Sequence, residues 1–312
     1  MNKGDFASSI VKKAVFVLSL DMELAWGFVL HPEHEVLSVL RKNPQKARET
    51  VDSLLSLCER HDIKATWAIV GHLLLSPQED TDSVLEQLPQ FGEGCLDWDY
   101  YLSLRNQPLY RGRDLVEKIL ANRMHHDIGL HGFFHIPFDR CSREVAKAEI
   151  QAGIKAANTL GIQPKSFVFP QNRIAHIDVL KENGIRIYRG NNLRWWDQEI
   201  WPPIRKLDSA AHKFAVPSVL PLPKDGIWEL PSSVFFCDPQ MPFLLPWRAR
   251  IGLQRAIRTK KIVHIWLHPW TLLLYDRLLK DLDNFLALVA QKRDEGKADV
   301  MTMGELASLL GR

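Results

Sequence analysis

AVFVLSLDME, residues 14–23, runs through apolar and β-branched side chains and then breaks into two carboxylates, Asp21 and Glu23. Such a run reads as a strand buried in the middle of a sheet. The pattern that follows it decides the fold class. Residues 44–60 carry Ala47, Val51, Leu54, Leu55 and Cys58 at helical spacing. KATWAIV, residues 64–70, reads as a second strand, 114–124 as a helix and DIGL, 127–130, as a third strand. Residues 142–160 predict a helix with Ser142 as N-cap, Gly161 past its end and Pro164 beyond.

SFVF, residues 166–169, predicts a fourth strand, 177–182 a short helix and 185–188 a fifth strand. Short strands are expected near 216–219 and 228–230. A helix at 248–259, a strand at 262–267 (IVHIWL), a long helix at 278–295 and a strand at 298–303 complete the chain before 304–310. Strand–helix alternation of this kind calls for a parallel sheet with helices outside it. Six or seven units predict an α/β barrel spanning residues 1–312 as one domain, with long loops at about 76–113 and 191–246. No Gly-x-Gly-x-x-Gly turn follows the first strand, which argues against an open dinucleotide-binding sheet.

Composition narrows the function classes. A net charge of +3 over 312 residues is too small to argue for nucleic acid as a partner. The cysteines, Cys58, Cys95, Cys141 and Cys237, are scattered with no Cys-x-x-Cys pair, so free thiols in a reducing compartment are expected. No apolar stretch reaches the length of a membrane span and the first residues make a poor secretion signal, so a cytoplasmic location is expected.

In a parallel barrel the chemistry gathers at the carboxyl ends of the strands. The first strand ends at Asp21-Met22-Glu23, the third at His131 and His135 within GLHGFFH (129–135), the fourth at Pro170-Gln171-Asn172, and the 262–267 strand at His268-Pro269-Trp270. Taken singly, each has a bland reading: a strand-ending Asp-x-Glu, a chance His-x-x-x-His, a structural His-Pro turn. Taken together they form one rim. The two imidazoles share a face if 131–135 turns helical. A carboxylate with two neutral imidazoles suits zinc or another divalent transition metal and leaves room for water. A second carboxylate can take the water's proton and a facing histidine can protonate a leaving amine.

These residues resemble the polysaccharide deacetylase family, which includes chitin-oligosaccharide and peptidoglycan deacetylases and shares the NodB homology. The motifs that carry the resemblance are Ser19–Glu23, Gly129–His135, Phe167–Pro170 and Trp266–Trp270. The resemblance implies a distorted (β/α)7 barrel and metal-dependent removal of an N-acetyl group from an amino sugar in a polysaccharide, an oligosaccharide or its precursor, during cell-surface polysaccharide synthesis. It implies His131 and His135 as paired metal ligands, Glu23 as the acidic ligand, Asp21 as general base and His268 as general acid, with the roles of Asp21 and Glu23 exchangeable. The ion implied is divalent, zinc first. Pro170, Asn172, Trp270 and Trp26 are expected to contact the sugar.

Three departures stand out. Met22 separates two carboxylates that many members hold adjacent. Gly132 stands where Ser or Thr often follows the first histidine. Gln171 stands where an arginine often steadies the base, with Arg173 and Arg189 as substitutes.

Trp195, Trp196 and Trp201 also lie near rim segments, and Asp197 falls where some members place an acid beside the catalytic histidine. Asp97-Trp98-Asp99 reads as a solvated loop. Residues 241–261 join an apolar run to six basic residues, and an outer helix with a solvated basic face is preferred there to a lipid-facing patch. The partner expected is thus an acetylated amino sugar, with no nucleic acid, and the oligomeric state stays open. Two other readings stay open: an allantoinase-like hydrolase of a non-sugar C–N bond, and a catalytically silent carbohydrate-binding relative.

Overall fold

The computed structural model describes residues 11–76, 98–192, 216–237 and 244–311. Strand β1, Ala14–Met22, is buried along all nine residues. Its parallel neighbours are β2 (Thr66–Ile69), β9 (Ile262–Leu267) and, along its first three residues, β10 (Ala298–Val300). The sheet continues from β2 through β3 (Asp127–Leu130), β4 (Ser166–Val168) and β5 (Ile187–Asn192) to β7 (Ile227–Ser232), every step parallel. On its other side, β9 pairs in parallel with β8 (Val234–Phe235). Only Ser233 separates β7 from β8, so the two ends of the hydrogen-bonded path are joined by one residue and the sheet curls into a distorted barrel. A short strand β6 (Leu222–Lys224) folds back on β7 through the left-handed pair Asp225-Gly226, as a two-residue hairpin requires.

The period of two in the strands assigns each face. Phe16, Leu18 and Leu20 face outward into the large apolar cluster under the helices, where Phe16 meets Phe285 edge to face at 5.8 Å. Val15 and Val17 face the other way and join Ile187, Leu230 and Ile262. The helix Met303–Leu310 closes that inner cluster with Met303, Leu306 and Leu310, and it starts on a capping box between Thr302 and Glu305. Further along the same inward face the side chains turn polar: Ser19, then Asp21. The inward set on β9 and β5 changes likewise, from Ile262 to His264 and from Ile187 to Arg189. The interior is oil-like at the strand starts and charged at the strand ends.

The expected elements are recovered with shifted edges. The helix expected at 142–160 spans Arg143–Asn158, with the Ser142 hydroxyl accepting from the Val145 N–H. The strand expected at 216–219 shrinks to a single bridge, Val219 to Ile262. The loop expected at 76–113 contains a helix, Trp98–Leu104, and the helix Arg113–Ala121 begins at its end. Residues 195–197, 201 and 241–243 lie outside the described residues. The basic helix spans Leu245–Thr259, with Leu245, Ala249, Leu253 and Ala256 buried inward. No helix among the described residues is long and apolar enough to cross a membrane.

His264 is fully buried, with Nε2 2.9 Å from the Ser19 hydroxyl. Burial, with the nearby Arg189 charge, pushes its imidazole down to about 3. Its folded-state value lies below the unfolded one, so its contribution is fully present above about pH 6.5 and is lost as pH falls. Lowering pH from 7 to 5 is expected to cost the wild type about 2 kcal/mol more than His264→Gln. Urea denaturation of both proteins at the two pH values measures this.

Candidate metal and catalytic centre

Loops following β1, β3 and β9 meet at one point. Glu23 follows the last residue of β1, His131 follows β3 and His268 follows β9. The Nε2 atoms of His131 and His135 lie 3.4 Å and 3.0 Å from the same oxygen, Glu23 Oε2. One donor atom from each of the three residues lies within 4.8 Å of the others, and all three side chains are buried. The expected helical turn at 131–135 is not what joins the imidazoles. The segment is a loop, bent by two left-handed residues, Gly132 (φ +70°) and His135 (φ +62°). Only glycine takes the first conformation freely, and a Cβ on Gly132 would lie 3.1 Å from both Glu149 Oε2 and Pro170 Cγ.

The donor set fits a cation. His131 Nδ1 is 2.8 Å from the Val168 carbonyl, which can only accept, so the ring proton sits on Nδ1. That leaves a lone pair on Nε2 facing a carboxylate oxygen, an arrangement that calls for positive charge between them. Ligands about 2.1 Å from a tetrahedral ion stand about 3.4 Å apart, close to the 3.4 Å and 3.0 Å between Glu23 Oε2 and the two imidazoles. Burial pushes the His135 imidazole down toward its neutral form, although the Glu23 carboxylate pulls the other way. Burial pushes the Glu23 carboxyl up, but the nearby His268 and His135 hold it well below the usual range. Glu23 Oε1 accepts from the Trp270 indole N–H at 3.1 Å. A Cβ on Gly27 would overlap Glu23 Oε1, so glycine at 27 is a condition for the carboxylate to lie where it does.

Asp21 has a different neighbourhood. Arg189 grips it with two hydrogen bonds of 2.6 Å each, and both residues are almost wholly buried. The same guanidinium donates to Asn172 Oδ1 at 3.0 Å and Ser19 Oγ at 3.3 Å, and lies 4.1 Å over the Trp266 ring. Burial is the largest single influence and pushes the Asp21 carboxyl up, but the Arg189 charge and hydrogen bonds together with His131 and His268 outweigh it, and the net shift is downward. Of the two arginines that sequence offers in place of Gln171, Arg189 thus meets the acid. Arg173 pairs with Asp139 at 3.1 Å instead. The reason is strand register: Val168 on β4 stands beside Arg189 on β5.

His268 faces both carboxylates, with Nε2 3.5 Å from Glu23 Oε1 and 3.8 Å from Asp21 Oδ2. Its ring stacks on Trp270 at 4.7 Å, and its Nδ1 is buried with no hydrogen-bond partner among the described residues. A cavity of ≈ 240 Å³ opens onto Asp21, Glu23, His131, His135 and His268. Its walls include Phe28, His34, Asn172 and Trp270. A larger cleft, ≈ 800 Å³, lies at the opposite end of the strands around Lys64, Asp127 and Lys165, away from this cluster.

The residues expected at the sugar divide. Asn172 and Trp270 border the cavity, although His268 covers one face of the Trp270 indole. Trp26 does not border it: it is fully buried against His72, Tyr110 and Phe134, with its N–H on the Tyr110 carbonyl. Trp26 is a packing residue behind the site, because its apolar neighbours outcompete solvent for the indole. Pro170 is buried against Gly132 and shapes the histidine loop. His34, Phe28 and Gly27 were not found by sequence reasoning, since no motif marks them. Glu149 was also missed, although an acid on the buried stripe Val145, Ala146, Glu149, Ile150, Gly153 is a readable signal.

Residues 42–188 match the sequence model of a family described as polysaccharide deacetylase. That span holds His131 and His135 and excludes Asp21, Glu23 and His268. No curated protein sequence matches the chain. Among solved structures, a protein described as a polysaccharide deacetylase from Mycobacterium smegmatis superposes with a TM-score of 0.62 at 15% identity, over 96% of this chain and 90% of that one. A second so described, from Pseudomonas aeruginosa PAO1, gives 0.59 at 12% identity over 95% and 90%. Puue allantoinase gives 0.56 at 12% over 95% and 89%. These likenesses show the shared fold, a distorted barrel of the deacetylase type.

Removing the Arg189 charge strands Asp21 in the interior. Arg189→Gln is expected to destabilise the fold by about 3–5 kcal/mol, as for other broken buried pairs. Arg173→Gln, at an exposed pair, should cost less than about 1 kcal/mol. Chemical denaturation of the two variants beside the wild type tests the assignment.

Proposed function

We propose that this chain, a relative of the polysaccharide deacetylases, is a metal-dependent hydrolase that removes an acetyl group from the nitrogen of an amino sugar. The observation that carries the reading is the meeting of Glu23, His131 and His135 at one buried point, with Asp21 and His268 beside it. Glu23, His131 and His135 would hold the ion, with zinc first among candidates. When bound, a divalent metal polarises the amide carbonyl and makes water acidic enough to act as nucleophile near neutral pH.

The chain's own groups handle the protons. Asp21, kept ionised by Arg189, accepts the proton of the attacking water. His268 lines the same cavity and donates to the departing nitrogen. Its ring is held at the required angle by Trp270 and by the edges of Phe235 and Trp266. Phe28 and Trp270 keep bulk water from one wall, which strengthens the charge interactions within. The geometry favours Glu23 over Asp21 as the ligand, since both Asp21 oxygens already accept from Arg189. We place the reaction in the cytoplasm, in the supply of cell-surface polysaccharide.

A second reading draws on the cavity itself. A space of ≈ 240 Å³ holds one small acyl or ureide group, so hydrolysis of a small non-sugar C–N substrate is retained as the alternative. Acetate release from N-acetylglucosamine and its oligomers, against ammonia or acid release from cyclic ureides, separates the two.

Asp21→Asn should retain metal and lose turnover by about 10²–10⁴-fold. Undiminished acetate release by that variant would remove Asp21 as base. His131→Ala should lose the ion, read by elemental analysis, and unchanged metal content would remove His131 as ligand.

A further inference from the structure

We propose that Glu149 is a positioning residue for the metal site: its carboxylate gathers the backbone N–H groups of the loop between the two histidines and thereby fixes where their imidazoles converge. The proposal rests on the reading of Glu23, His131 and His135 as metal ligands.

Glu149 sits in the helix Arg143–Asn158, on the stripe that this helix turns to the barrel, and it is fully buried. It has no ion-pair partner among the described residues. Its oxygens accept instead from the loop: Phe133 N–H at 2.7 Å, and Phe134 N–H at 3.0 Å and 3.3 Å to the two oxygens. Successive N–H groups converging on one acceptor form a concave nest, and here the chain fills it with a carboxyl group from its own helix.

The other side of the loop is tied down separately. The Gly132 and Phe133 carbonyls accept from Gly71 and His72 N–H groups at 2.8 Å and 3.1 Å, and the His131 N–H donates to Ile69 at 2.9 Å. The Phe133 and Phe134 donors thus go to Glu149, and the Gly132 and Phe133 acceptors to the segment after β2. Without the carboxylate, the Phe133 and Phe134 N–H groups would lose these partners. The left-handed turn at His135, which costs a non-glycine residue, would lose what holds it.

Gly132 fits the same device. A side chain there would press on the carboxylate at 3.1 Å, so the small residue and the buried acid occupy one space between them. A buried carboxylate is expensive compared with an apolar side chain of equal volume. Its placement beneath the two histidines accounts for its presence in an otherwise apolar stripe.

The test compares the full-length wild type with Glu149→Gln and Glu149→Ala. Affinity of the metal-free proteins for Zn2+ alone is measured by competition with a chromophoric chelator, and folding by circular dichroism. The expected result is Zn2+ binding about 10–100-fold weaker in folded Glu149→Gln, the range for groups that orient ligands without touching the metal. A role confined to packing would lower the melting temperature and leave that affinity unchanged. Equal affinity in a folded variant overturns the proposal. Failure of the wild type to bind Zn2+ counts against the metal reading and leaves the loop assignment to the next measurement. Hydrogen exchange on metal-free wild type reads Phe133 and Phe134 directly. Protection equal to that of the β3 amides supports the carboxylate anchor, and fast exchange at both overturns it, even if neither variant folds.

Discussion

Arg189 carries a permanent positive charge into the barrel interior, where an unpaired ion would cost several kcal/mol. Everything around it is arranged to meet that charge. Asp21 offers two oxygens, Asn172 and Ser19 one each, and Trp266 the face of its ring. Two strands and one loop contribute these partners to an arginine on a third strand, so the pair can form only when β1, β5 and β9 are in register. The same pairing keeps Asp21 ionised and orders Asn172 through a left-handed backbone, φ +55°, at the cavity edge. Fold and reactive geometry are therefore coupled through one guanidinium. Behind it, Ser19 and His264 continue the polar layer before the interior becomes apolar.

The site depends equally on where side chains are missing. Glu23 reaches the imidazoles because Gly27 leaves its oxygen room, and the histidine loop turns because Gly132 leaves room for Glu149 and Pro170. Close packing makes such vacancies specific, since the surrounding atoms are too crowded to yield to even one methyl group. The match over residues 42–188 covers the histidine loop and the helix bearing Glu149, while Asp21, Glu23 and His268 lie outside it. The candidate site is thus assembled from both the matched span and the remainder of the chain.

Much of this was legible in the sequence, for identifiable reasons. Strand ends were marked by abrupt changes from apolar runs to Asp21, His131 and His268, and a parallel barrel puts all such ends on one rim. What remained hidden required three dimensions. Whether Arg173 or Arg189 stands beside Asp21 depends on the register of β4 against β5, which leaves no local trace. Trp26 and Trp270 look alike in sequence, and only packing separates the buried ring from the one at the cavity wall. The spacing of His131 and His135 suggested a helix, but left-handed residues in a loop bring the rings together as well. Glu149 was readable in principle, as an acid where helical spacing calls for an apolar residue.

Closure of the ring through Ser233 carries a consequence for how the molecule is made. The first half of β1 is apolar on both faces, and residues Val15–Leu20 pair with β9, roughly 250 positions later by the pairing of Val15 with Ile262. Such distant pairings make ring closure slow relative to helix formation. A growing polypeptide would therefore emerge from the ribosome with AVFVLSL open along one edge until the last quarter is synthesised. That interval exposes a sticky ribbon of the sort chaperones shield. The gathering of charge around Asp21 is in this sense also a late event, available to the molecule only after its barrel has shut.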